Sequence, residues 1–243
     1  MNVVSLVPSW TETLINSGIN LVGRTRFCIH PKDQIKSVPA IGGTKSVKWD
    51  KLKVEPDLVI LDKEENTKQM AESCPYPYYA THIKTINDVP NELYVLADLL
   101  SSKVLYEKAY LWTELLKYKK QLSLDDLEQQ GVLKWWKDSQ IKKLNLIYLI
   151  WKDPYMSVGE RTFIYSVFQH LGLKLYAFKD QDYPVIQLSE FSQKNSILLF
   201  SSEPFPFHNK KQEMLKLGYD CAWINGEVFS WFGDRSFNFL NSI

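Results

Sequence analysis

Cys28 and His30 stand two apart in a stretch with neither helical nor strand patterning. An extended backbone there would turn a soft sulfur and a borderline imidazole to one side, the ligand types that transition metals take. Two ligands leave a shell open, and Glu64 or Glu65 would have to complete it. The same pair could serve as thiolate and base in a covalent reaction, or Cys28 could pack while His30 bonds to its own loop. Glu64, Glu65 and Asn66 open the helix expected after the 58–61 strand, where carboxylates gain from the helix dipole alone. An acid and base pair of Glu64 and Glu65 is disfavoured because adjacent side chains rarely point together.

Other segments suit binding. Gly42-Gly43-Thr44-Lys45 could bring the backbone close to a ligand while Lys45 meets an anionic group, although Gly-Gly also makes an ordinary tight turn. In Ser201-Ser202-Glu203-Pro204-Phe205-Pro206-Phe207 the prolines fix the backbone and would present Phe205 and Phe207 as a preformed apolar wall, or else as packing between domains. Trp151, Tyr155 and Met156 follow another strand and could supply the opposite wall, with Trp10 and Trp231 adding rings. A planar macrocycle would suit such walls. Glu227, Ser230, Trp231 and Arg235 lie in a turn near the C-terminus, where Arg235 could pair with Glu227 or hold a ligand carboxylate or phosphate.

These segments need strands to position them. In the first 81 residues short apolar runs at 3–7, 21–25, 37–41, 58–61 and 78–81 read as strands alternating with short helices, one of them at 47–54. Ser9 or Thr11 would cap the helix after the first strand, with Glu12 in its first turn. Such alternation indicates an α/β layer with a mostly parallel sheet, whose binding crevice lies at the carboxyl ends of the strands, where most of the candidate segments fall. Residues 87–137 show helical spacing, read as a long helix preceded by a shorter one. Strands follow at 144–151, 173–178, 185–188, 197–201 and 222–225, with helices near 162–171 and 208–217. The expected division is an N-terminal α/β lobe at 1–86, a helical segment at 87–137 and a C-terminal α/β lobe at 138–243.

Composition excludes several functions. The chain has 243 residues, 45% hydrophobic, enough for a sizeable core. Lys plus Arg number 29 against 28 for Asp plus Glu, so no general attraction to nucleic acid or anionic membrane is expected. The lysines at 117–120 read as a solvated helix face among acidic neighbours. No apolar run approaches the roughly 20 residues that span a bilayer, so no membrane insertion is expected. Cys28, Cys74 and Cys221 are too widely spaced for a disulfide framework. No export segment precedes the first strand, which suggests a cytoplasmic protein, or a periplasmic one if the sequence has been trimmed. GxSxG, HExxH and P-loop signatures are missing, and an enzyme is not expected.

Two α/β lobes joined by a long helix resemble the helical-backbone, class III substrate-binding proteins that deliver cobalamin, iron-siderophores, haem and metal ions to ABC transporters. The run from Val4 through Glu12, Leu21-Val22-Gly23-Arg24-Thr25, Val38-Pro39-Ala40-Ile41-Gly42-Gly43 and Glu55-Pro56-Asp57-Leu58-Val59-Ile60 follow that family's N-terminal lobe in order and spacing. The cobalamin branch is nearest, in a subgroup carrying the motifs at 24–31, 42–45, 64–66, 201–207 and 226–231. The resemblance implies a TroA-like fold and an interlobe cleft taking cobalamin or another corrinoid first and an iron-siderophore or haem second. It places Ser9, Trp10, Thr25, Phe27, Cys28, Gly43, Thr44, Lys45, Glu65, Asn66, Trp151, Tyr155, Met156, Phe205, Phe207, Trp231 and Arg235 around the ligand, with Ser9 and Trp10 at the rim. It also implies a monomer without covalent cofactor, whose Glu64 or Glu65 on one lobe and Glu203 on the other would meet arginines of the transporter's membrane subunits. The alternative is a cytosolic enzyme or chaperone that handles a corrinoid or metal cofactor through Cys28 and His30.

Overall fold

The computed structural model describes residues 1–139 and 145–243. Its elements are β1 (Asn2–Ser5), α1 (Pro8–Asn16), β2 (Asn20–Thr25), β3 (Ala40–Gly43), β4 (Ser46–Val47), β5 (Leu58–Asp62), α2 (Lys68–Glu72), β6 (Tyr78–Thr81), α3 (Val89–Leu99), α4 (Lys103–Leu116), α5 (Leu124–Gln129), β7 (Leu133–Lys137), β8 (Asn145–Trp151), β9 (Met156–Ser157), α6 (Phe163–His170), β10 (Ser196–Ser201), α7 (Lys211–Leu215), β11 (Asp220–Ile224), α8 (Gly226–Ser230) and α9 (Asp234–Ser242). The chain divides into two compact units, one of Met1–Lys117 with Trp231–Ser242, the other of Tyr118–Ser230 with Ile243. Each is a mostly parallel sheet flanked by helices, the α/β architecture the alternation predicts. No helix among the described residues is long and apolar enough to cross a membrane.

In the first unit the strands run in the order β4-β3-β2-β1-β5-β6, parallel except for the β3–β4 hairpin. β5 is buried at every position, as a strand covered on both faces requires. Parallel pairing delivers the loops after β1, β2, β3, β5 and β6 to one edge of the sheet, which gathers residues 6–8, 26–31, 44–45, 63–67 and 82–85 there. The second unit orders β7-β11-β10-β8-β9, with antiparallel edges around a parallel β11-β10-β8 centre. Its core joins Ile147, Leu149, Leu198, Phe200, Phe207 and Met214.

Several local expectations are corrected. Residues 47–54 are not a helix: β4 turns back on β3, Gly42 pairing with Val47, and a Cβ on Gly42 would collide with the Ser46 carbonyl. Only a short turn of 3-10 helix, Trp49–Lys51, follows. The 173–178 and 185–188 runs supply single bridges, Leu175 to Leu146 and Val185 to Met156. Tyr176 and Phe178 of the first run join Phe191 in a ring cluster, and Ile186 and Leu188 of the second enter the core. The longer helix of the linking segment is α4, 14 residues capped by the Ser102 hydroxyl, after which 117–137 forms α5 and β7. Leu144, read as the start of a strand, lies outside the described residues.

The start of α1 uses no side-chain cap. Pro8 holds the first helical position, where its missing N–H costs nothing, and Val7 is the N-cap. Glu12 therefore falls beyond the first turn. The C-terminal helix belongs with the first unit because Glu12, Thr13 and Asn16 form one polar face of α1 that meets it. Asn16 Nδ2 donates to Asp234 at 2.8 Å, the Asp234 N–H donates to Thr13 Oγ1 at 3.0 Å, and Lys108 Nζ lies 2.7 Å from Asp234.

Candidate functional site

Cys28 follows β2 and is fully buried. Its sulfur lies 3.0 Å from Thr11 Oγ1 and 3.1 Å from Thr25 Oγ1, and Thr11 Oγ1 is also 2.9 Å from both the Val7 carbonyl and Ser5 Oγ. Burial pushes the Cys28 thiol up, against the partial opposition of those hydroxyls. A solvent-shielded, protonated thiol is a poor nucleophile and a poor ligand. The sulfur thus ties α1 to the β2 loop. His30 sets its ring edgewise on Trp231, centroids 5.5 Å apart. Among the described residues there is no group of three or more His, Cys, Asp or Glu able to hold a metal ion.

This burial makes a testable difference between the cysteines. Cys221 is buried in the second unit with its thiol pushed up to about 11 by desolvation, whereas Cys74 is only half-buried. Under native conditions at mildly alkaline pH, iodoacetamide is expected to modify Cys74 first. Cys28 and Cys221 should react slower by on the order of a hundredfold, because they must wait for local opening. Peptide mass mapping over time reads this, and rapid Cys28 labelling would restore the reactive-thiol role.

Trp10, expected at a rim, is fully buried and donates Nε1–H to Thr81 Oγ1 at 2.9 Å; Ser9 is buried too. Thr81 continues to Asp62 at 2.7 Å, and the Asp62 carboxylate also accepts the N–H groups of Glu64, Glu65 and Ile83. Burial raises the Asp62 carboxyl despite these donors. The residues after β5 thus form a turn around Asp62, and α2 starts only at Lys68 under the Thr67 cap, so Glu64, Glu65 and Asn66 open no helix. Asn66 bridges loops, with Oδ1 accepting the Asp62 N–H and Nδ2 donating to the Leu6 and Thr44 carbonyls.

The remaining polar groups at this edge are more open. Lys45 is exposed and its ammonium rests on the Glu65 carbonyl at 2.5 Å, beside Gly43 and Thr44. Phe27 is 46% exposed, with the Arg26 guanidinium over its ring, so it presents an aromatic face to solvent. Glu64 accepts from His82 Nε2 at 3.2 Å and has Lys84 at 3.8 Å. Sequence reasoning missed His82 and Lys84, which follow β6; recognising 78–81 as the strand parallel to 58–61 would have placed them next to Glu64. Trp231 is buried, and Arg235 meets Glu12. Its guanidinium forks onto Glu12, Nε to Oε2 at 2.9 Å and Nη2 to Oε1 at 2.7 Å, and lies over the Trp231 ring.

In the second unit the residues beyond β8 and β10 meet. Trp151, 41% exposed, sets its ring edgewise on the half-buried Phe205, centroids 5.6 Å apart. Phe205 in turn contacts Phe207, which is fully buried against Phe200 and belongs to the core rather than to an exposed wall. Tyr155 is half-buried near Met214, and Met156 lies in β9 opposite Trp151. Glu203 accepts the Ser230 hydroxyl at 2.6 Å. Lys152 lies between Asp153 and Glu213, whose carboxylates hold its ammonium well above the usual range. Of the residues read as surrounding a ligand, Phe27, Gly43, Thr44, Lys45, Glu65, Trp151, Tyr155, Met156, Phe205 and Arg235 keep accessible surface, and Ser9, Trp10, Thr25, Cys28, Asn66, Phe207 and Trp231 are buried.

This is the fold of the class III substrate-binding proteins. Over 99% of the chain it matches a periplasmic heme binding protein from Pseudomonas aeruginosa, with a TM-score of 0.72 at 15% identity and 90% of that chain covered. The periplasmic vitamin B12 binding protein of Vibrio cholerae matches at 0.67 and 16% identity, with 99% and 94% of the two chains covered. A siderophore binding protein from the same organism, with Fe3+-Desferal bound, matches at 0.66 and 16% identity over 100% of this chain and 95% of its own. At these identities the likeness establishes the fold. No protein-family model matches the sequence, and no curated protein does.

Proposed function

We propose that this chain is a substrate-binding protein of an ABC uptake system and takes a metal already enclosed in an organic complex, a corrinoid first and an iron-siderophore or haem second. The observation that carries this reading is the likeness, over nearly the whole chain, to binding proteins for vitamin B12, heme and a ferric siderophore. The loops at the carboxyl ends of the two sheets supply suitable chemistry. Phe27 and Lys45 in one unit and Trp151, Tyr155, Met156 and Phe205 in the other offer flat apolar surface with a cation for an anionic substituent. A bare ion ranks last, because the described residues hold no cluster of ligands for one. Glu64 and Glu203, one per unit, are the carboxylates proposed to meet arginines of the membrane subunits.

The aromatic surface gives the test. Trp151→Ala is expected to weaken binding of cyanocobalamin, haemin or a ferric hydroxamate siderophore, whichever binds, by about tenfold or more, since a stacked ring contributes on the order of a kcal/mol beyond its area. Trp151 is 41% exposed and packs only one edge on Phe205, so the stability loss should stay at about 1 kcal/mol. Unchanged affinity for every ligand that binds would remove Trp151 from the site.

A further inference from the structure

The first unit holds a cavity that the candidate site does not use. It measures about 430 Å³ and is lined by Leu61, Lys63, Thr67, Lys68, Ala71, Tyr78 and Ala80, together with the buried Asp62 and Asn66. Its origin is a mismatch of lengths. α2 spans only five residues, enough for Met70 to be buried with Leu61 and Val59 of β5, but too short to cover the edge strand β6. Tyr78 and Ala80 stand beside Val59 and Leu61 in register, so they share that face, yet Tyr78 stays 46% exposed. Ala71 on the helix and Ala80 on the strand are small, which leaves the space between them unfilled.

The walls define the guest. Leu61, Ala71, Ala80 and the Tyr78 ring offer a flat apolar lining, and the volume falls within the range of small-molecule sites, about 300–1,000 Å³. The other polar atoms of the lining are already engaged: Asn66 bonds to Leu6, Thr44 and Asp62, and Thr67 caps α2. Asp62, the sole carboxylate of the lining, is held by Thr81 and three backbone N–H groups. Lys63 and Lys68 are exposed. The Lys68 ammonium is shared with Glu72 at 3.2 Å, but both partners are largely in water and such a pair yields readily to a competing anion. The lining is therefore apolar with a net positive mouth.

We infer that this cavity binds a small aromatic carboxylate, its one or two rings against Tyr78, Leu61, Ala71 and Ala80 and its carboxylate at Lys63 and Lys68. The site uses the loop after β5 but none of the rings and charges named for the proposed function, and it does not rest on that reading. Ligand-observed NMR and calorimetry with naphthoate test it on the full chain, with naphthylmethylamine as the cation of matching shape. Naphthoate is expected to bind with one-to-one stoichiometry and a Kd of about a millimolar or tighter, and the amine about tenfold more weakly or worse. Ala80→Leu should fill the cavity and abolish binding. Lys63→Glu, which alters no packing, should weaken naphthoate by about tenfold while leaving the unfolding midpoint in place. Absence of naphthoate binding at about 10 mM, equal affinity for the amine, or unchanged binding by Lys63→Glu would each overturn the assignment.

Discussion

Phe207→Ala is expected to lower the unfolding free energy by about 3–5 kcal/mol, the usual cost of emptying a fully buried phenylalanine site. Its ring is completely shielded and packs between Phe200 and Phe205, with centroids 4.9 and 4.7 Å away. Its backbone N–H is tied back to the Phe205 carbonyl at 2.8 Å, so the neighbouring chain cannot slide in to fill the void. Phe205→Ala should cost far less, near 1 kcal/mol, because that ring already touches water. Urea unfolding of the two variants separates the roles that the Pro-Phe-Pro-Phe run leaves merged. A stability loss confined to Phe205→Ala would contradict the burial of Phe207.

Arg235→Ala is expected to destabilise the ligand-free protein by about 2–3 kcal/mol. The fork onto Glu12 fixes α9 against α1, and truncation strands a carboxylate whose side chain is only 13% exposed. The figure sits at or below the low end for buried pairs because Arg235 keeps 20% of its side-chain surface in water. Lysine at this position restores charge but not the two-pronged geometry, so Arg235→Lys should recover only part of the loss. A double-mutant cycle with Glu12→Gln isolates the pair. If Arg235 instead serves only to hold a ligand anion, its removal leaves the stability of the empty protein unchanged.

How far the sequence discloses this molecule depends on the range of the interaction. The 58–61 run is legible because a strand covered on both faces must be apolar throughout, and 78–81 because turn residues bound it closely. The start of α1 is misread since serine and threonine invite a capping reading, whereas Pro8 makes the cap unnecessary and frees Thr11 for the Cys28 sulfur. Direction of burial is the larger gap. Trp10 and Phe207 each adjoin a proline-bearing turn, and composition alone does not say that both rings face inward. Partners far apart in the chain give no local signal: Glu12 and Arg235 are separated by 223 residues, and Trp10 and Thr81 by 71. Strand ends are legible to within a few residues: Phe27, Lys45 and Phe205 follow β2, β3 and β10, and Trp151 ends β8.

Calorimetric titration of the ligand-free chain with cyanocobalamin, haemin and a ferric hydroxamate siderophore tests directly whether the protein binds an organic complex of a metal. One-to-one binding of at least one of the three is expected, with a Kd of about a micromolar or tighter. Failure of all three to bind more tightly than about 100 µM would contradict it.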